Sequence, residues 1–122
     1  MGGELHPLKY GSYHDDKEQL FAVIKAEEEF IINSSGKNNR RIWIDLYETT
    51  IDDEVIEVLI GHLQLIRHKI FNLCLVGCTP YVQKLIKKKM KKVEMDLYYS
   101  TRYFDDPEAA KHWLIGKIKE DS

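Results

Sequence analysis

The stretch Arg40-Arg41-Ile42-Trp43-Ile44-Asp45-Leu46-Tyr47-Glu48-Thr49-Thr50-Ile51-Asp52-Asp53-Glu54 decides how this chain folds. An apolar run closes on an acidic residue, crosses a short polar turn and opens an amphipathic helix. Val55, Ile56, Leu59, Ile60, Leu63 and Ile66 follow at helical spacing, which leaves Glu54, Glu57, His62 and Arg67 outward. In open α/β sheets, such strand-turn-helix junctions lie just beyond the carboxyl ends of the strands, where ligands and partners bind.

The same grammar recurs on both sides. Ile70-Phe71-Asn72-Leu73-Cys74-Leu75-Val76 reads as a second buried strand closed by Gly77, and Thr79-Pro80 opens a helix with an N-cap residue followed by proline. That helix is expected to bury Val82, Leu85, Ile86 and Met90. Upstream, Leu8 to Tyr13 suggests a short edge strand. A helix from Asp15 or Asp16 follows and stops near Asn33-Ser34-Ser35-Gly36. Downstream, Val93, Met95, Leu97 and Tyr99 alternate ambiguously, Thr101 to Phe104 is the better last strand, and Asp105-Asp106-Pro107-Glu108 caps a final helix burying Ala110, Trp113, Leu114 and Ile118. The order β-α-β-α-β-α-β-α predicts an α/β sandwich with a mostly parallel sheet and about four helices. The expected domain covers residues 8–118, between flexible ends at 1–7 and 119–122.

Composition narrows the class. A length of 122 residues suits one domain, and 43% hydrophobic with 31% charged residues suits a folded, soluble one. The net charge of −2 gives no general attraction to nucleic acid. Cys74 and Cys78 lie close together, which fits reduced thiols better than a disulfide framework. With no signal-peptide pattern and no membrane-spanning apolar run, the expected location is the cytoplasm.

The segments from Leu8 to about Lys117 resemble the STAS domain (sulfate transporter and anti-sigma-factor antagonist), in its compact, stand-alone bacterial form. The likeness rests on Ile42-Trp43-Ile44-Asp45-Leu46 before a turn, Ile51-Asp52-Asp53 opening the central helix, and Leu73-Cys74-Leu75-Val76-Gly77. It rests also on the ending Arg102-Tyr103-Phe104-Asp105-Asp106-Pro107-Glu108-Ala109-Ala110-Lys111-His112-Trp113-Leu114. The resemblance implies a non-enzymatic regulatory module with a protein partner of the anti-sigma-kinase type, and leaves a homodimer open. It also implies a phospho-acceptor serine in the turn, but here that position holds Asp53, followed by Glu54 and Val55, and the turn is one residue shorter. A fixed carboxylate imitates part of a phosphate's charge but cannot be switched. Thr49 and Thr50 are the nearby hydroxyls.

The expected binding edge comprises Asp45, Tyr47, Glu48, Thr49, Thr50, Asp52, Asp53, Gly77, Cys78 and Thr79. Its acidic residues have a simpler use, because Thr50-Ile51-Asp52-Asp53 has the spacing of a capping box and carboxylates suit a helix N-terminus. They lack the spaced oxygen ligands of a calcium loop, so no metal or other cofactor is expected. Cys78 sits at a helix start, where a thiol can be activated, but no arginine follows as in a phosphatase loop and Cys74/Cys78 is not Cys-x-x-Cys. A packed thiol is expected, and no catalytic residue is assigned. Lys84, Lys87, Lys88, Lys89, Lys91 and Lys92 could meet anionic lipid or phosphates, or form a solvated face. The five histidines lack ligand spacing and are expected at the surface. A small apolar ligand held between sheet and helices is the alternative to a protein partner, with a thiol enzyme at Cys78 a more distant one.

Overall fold

Alternation within the two central strands sets the layers. In the computed structural model, which describes residues 5–34, 40–96, 101–105 and 107–121, β2 (Arg40–Asp45) and β3 (Ile70–Val76) lie side by side and parallel. Ile42 stands opposite Leu73 and Ile44 opposite Leu75, and all four are buried on one face. Trp43 and Cys74 point to the other face. β1 (Leu5–Lys9) and β4 (Arg102–Phe104) complete a four-stranded sheet in the order β1-β2-β3-β4, every neighbour parallel.

Consecutive parallel strands joined by right-handed crossovers must carry their connecting helices on one face. Helices α1 (Lys17–Asn33), α2 (Asp53–Ile66) and α3 (Pro80–Lys92) accordingly pack in sequence, α1 on α2 and α2 on α3. Their buried stripes, including Leu20, Ile24, Val55, Ile56, Leu59, Leu63, Ile86 and Met90, form the main core with Leu8, Ile42, Ile44, Leu73 and Leu75. The last helix, α4 (Pro107–Asp121), covers the opposite face, where Ala110 and Leu114 pack with Cys74, Val76, Trp43, Phe104 and Trp113. The expected α/β sandwich is therefore present, with an all-parallel sheet.

Several boundaries differ from expectation. The first strand begins at Leu5, three residues before the expected domain start, and ends at Lys9 rather than Tyr13. His6 and Leu8 supply its inward positions, while Gly11 and Ser12 (φ +65°) end the extended run. Pro7 is tolerated because β1 is an edge strand. Helix α2 is capped by Asp52, whose carboxylate accepts from the Val55 N–H at 3.0 Å, so Thr50 is not the cap. Leu85 and Trp113 are half-buried. Glu94 (φ +56°) turns the chain after α3 and Met95 is buried, while the rest of the ambiguous alternation, 97–100, and the Ile118 side chain lie outside what is described.

Candidate functional site

Three connections leave the carboxyl ends of β1, β2 and β3, and the first two are stitched together. The Tyr10 N–H donates to Asp45 O at 2.9 Å, Ser12 N–H to Tyr47 O at 2.6 Å, and His14 N–H to Glu48 O at 2.8 Å. Thr50 N–H returns the bond to His14 O at 2.8 Å. The loops thus continue the parallel pairing past the ends of their strands, with His14 bridging Thr49. Ser12, His14 and Glu48 all adopt positive φ to allow it. A Cβ added to Gly11 would lie 2.7 Å from Tyr47 O, so only glycine lets the two loops approach this closely.

Side chains finish the stitching. The Thr49 hydroxyl donates to Tyr10 O at 2.7 Å and accepts from Tyr13 N–H at 3.1 Å. Thr50, which is exposed, donates to the Asp15 carboxylate. Asp45 turns its carboxylate back onto the Tyr47 N–H at 3.0 Å. Asp52 both caps α2 and receives Lys17 Nζ at 2.6 Å, while Lys17 also reaches Glu54 at 2.9 Å. The ammonium, then the Val55 N–H, hold the Asp52 carboxyl below its usual range, and the two carboxylates raise Lys17. Lys17 is a site residue that sequence reasoning missed. It opens α1, far along the chain from Asp52, and no local pattern joins them.

The third connection, Gly77 to Thr79, meets the second through Tyr47. Gly77 sits at φ +88°, and a Cβ there would fall 2.9 Å from Tyr47 N and 3.0 Å from the ring. The Gly77 N–H bonds to Phe104 O at 3.1 Å. Thr79 caps α3 through Val82 N–H at 3.2 Å. Cys78 is 3% exposed, its carbonyl takes the Gln83 side-chain amide, and burial pushes its thiol up to about 12. Burial does the same to Cys74. A thiol held neutral this far above neutrality is a poor nucleophile.

Of the ten expected edge residues, the structure brings Asp45, Tyr47, Glu48, Thr49 and Thr50 into one stitched loop beside Gly77. Asp52 faces Lys17 instead. Asp53, exposed in the first turn of α2, lines a groove of about 200 Å³ between α2 and α3 with Ile56, Leu85, Lys88, Lys89 and Lys92. Cys78 faces the core. Tyr47, Glu48, Thr50 and Thr79 are the expected edge residues left exposed beside these connections, with Tyr81, 71% exposed, just beyond.

The expectation of surface histidines fails for two of the five. His62 is not at the surface but 2% exposed, between α2, α1 and the chain leaving β1. Tyr10 Oη lies 2.9 Å from its Nε2 and Glu28 Oε1 3.2 Å from its Nδ1. A carboxylate can only accept, so Nδ1 carries a proton, and with the imidazole neutral Nε2 accepts from the tyrosine, which satisfies every polar group of the trio. Burial lowers the His62 pKa against the pull of Glu28, and burial likewise raises Tyr10. The signal was present in the spacing, since residue 62 falls three after Leu59 and four before Ile66, inside the buried stripe. His6 is also half-buried, 2.8 Å from an Arg40 guanidinium nitrogen and 3.4 Å from Glu27.

Among the described residues, no three His, Cys, Asp or Glu side chains gather as metal ligands would, and no helix is long and apolar enough to cross a membrane. Comparison of the chain with protein-family models, with curated proteins and with solved structures returns no match.

Proposed function

We propose that this domain is a non-enzymatic regulatory module that recognises a protein partner with the carboxyl edge of its sheet, in the manner of the anti-sigma antagonists it resembles. One observation carries the reading. The edge spends its reactive groups on its own structure, with Thr49, Asp45 and Asp52 hydrogen-bonded and Cys78 buried, and presents Tyr47, Glu48, Thr79 and Tyr81 outward. A pre-ordered surface with exposed aromatics suits recognition, because binding then costs little ordering entropy. Fold likeness alone would not support a function.

Switching by phosphate fits less well than constitutive binding. Asp53 stands at the acceptor position, and a phosphate on Thr49 would break two hydrogen bonds. Thr50 faces Asp15, so a phosphate there would meet like charge. A small apolar ligand is favoured by the α2–α3 groove, but its volume of about 200 Å³ falls below the roughly 300–1,000 Å³ of usual ligand sites.

The test is a photo-crosslinking amino acid placed at Tyr47 in cells, with the same group at Glu94 as control. A discrete adduct from position 47 and none from position 94 is expected. Adducts of equal yield from both, or none from position 47, would remove the edge as a recognition surface.

A further inference from the structure

Helix α3 carries six lysines and no acid in its 13 residues, so a chain of net charge −2 holds a local charge of +6 on one element. Their placement is ordered. Val82, Ile86 and Met90 are the buried stripe. At 100° per residue, Tyr81, Lys84, Lys88 and Lys91 point in the opposite direction, straight out from the domain. Lys89 turns toward α2 and pairs with Glu57, and Lys87 lies over the Tyr103 ring at 5.0 Å. Among the described residues Lys84, Lys88, Lys91 and Lys92 form no ion pair, and all four are exposed.

A solvated face usually mixes both signs. Here, unpaired positive charge spans roughly 10 Å of helix from Lys84 to Lys91. An exposed tyrosine stands at one end, and the groove floored by Ile56 and Leu85 runs beside Lys88 and Lys92. We propose that the outward stripe of α3, Tyr81, Lys84, Lys88 and Lys91, is a docking surface for an anionic phospholipid bilayer. The helix would lie along the headgroups, its lysines on the phosphates and Tyr81 at the interface.

Charge complementarity decides the occupant. A row of point-like ammonium groups matches a plane of phosphates, and α3 as a whole, with six lysines, falls among the clusters of four to eight basic residues on an amphipathic helix that mark such binding. Base-specific or stacking recognition of nucleic acid would use forked or amide side chains at base edges or interleaved aromatics. Apart from Tyr81 at its end, the stripe offers lysines alone. The surface meets the sheet edge only at Tyr81, and the inference rests on the lysines rather than on the partner reading.

Vesicle co-sedimentation tests it. The full chain is mixed with phosphatidylcholine vesicles, with and without about one-third phosphatidylglycerol, in about 0.05 M and about 0.5 M salt. Binding is expected only to the anionic vesicles, falling at least tenfold in the higher salt. The triple variant Lys84→Glu/Lys88→Glu/Lys91→Glu should bind about a hundredfold more weakly, near five-fold per lysine. Its thermal melt should stay cooperative, and the control pair Lys9→Glu/Lys25→Glu should bind like the parent. Failure of the parent chain to bind the anionic vesicles would overturn the proposal. So would undiminished binding by the triple variant, or tighter binding of an RNA oligonucleotide than of the vesicles.

Discussion

At Gly77 a single missing Cβ holds two connections together. With φ at +88° and Tyr47 N only 2.9 Å from where a Cβ would stand, Gly77→Ala must both strain its backbone and push the tyrosine loop away. A loss of about 1–3 kcal/mol is expected in urea denaturation, and a variant as stable as the parent would refute the close approach. Cys78 stands next to it with a different fate. Its thiol, pushed up to about 12 by burial, should alkylate slowly with iodoacetamide in the native protein at neutral pH. Cys74→Ala and Cys78→Ala variants assign the rate to each thiol. A Cys78-dependent rate with a midpoint below that of a free thiol would restore thiol chemistry as a candidate activity.

Among the elements, α1 and α2 are joined by a partly buried polar contact, His62 to Glu28, as well as by apolar packing. His62 is neutral in the fold because its surroundings lower its pKa below the unfolded value of 6.5. The folded state therefore binds fewer protons than the unfolded chain when the pH drops under that value. Stability is full above about pH 6.5 and is lost as the pH falls through the lowered folded pKa. Denaturant midpoints measured from about pH 8 down to about pH 5 should decline, and His62→Gln should flatten that decline. An equal decline in the variant would assign the pH dependence to other groups.

This pair of helices also marks how far the sequence could be read. The α2 stripe, the β2 and β3 runs and the Thr79-Pro80 start were legible because each depends on local periodicity or capping chemistry. His62 reads as outward on polarity alone, although its position within the α2 stripe places it inward. Lys17 with Asp52, and Thr49 with Tyr10, were not legible, since they join segments that only the folded sheet brings together. The N-cap shifted from Thr50 to Asp52 for a related reason. The Thr50 hydroxyl is engaged by Asp15 across the loops, and Asp52 is free to turn onto Val55.

For the whole molecule, an all-parallel sheet covered by three helices on one face and one on the other puts every strand's carboxyl end on the same edge. The expected edge residues were gathered there as far as the strands dictate, while Cys78 went to the core and Asp53 to the α2–α3 groove because helix starts set their directions. What distinguishes this edge is that its loops are themselves hydrogen-bonded as an extension of the sheet. The central claim, a rigid recognition surface, is tested most directly by native-state amide hydrogen exchange. The amides of Ser12, His14 and Thr50, each bonded across the two loops at 2.6–2.8 Å, should be protected by about a hundredfold or more over the free chain. Exchange of these three amides at free-chain rates, with β2 and β3 still protected, would contradict it.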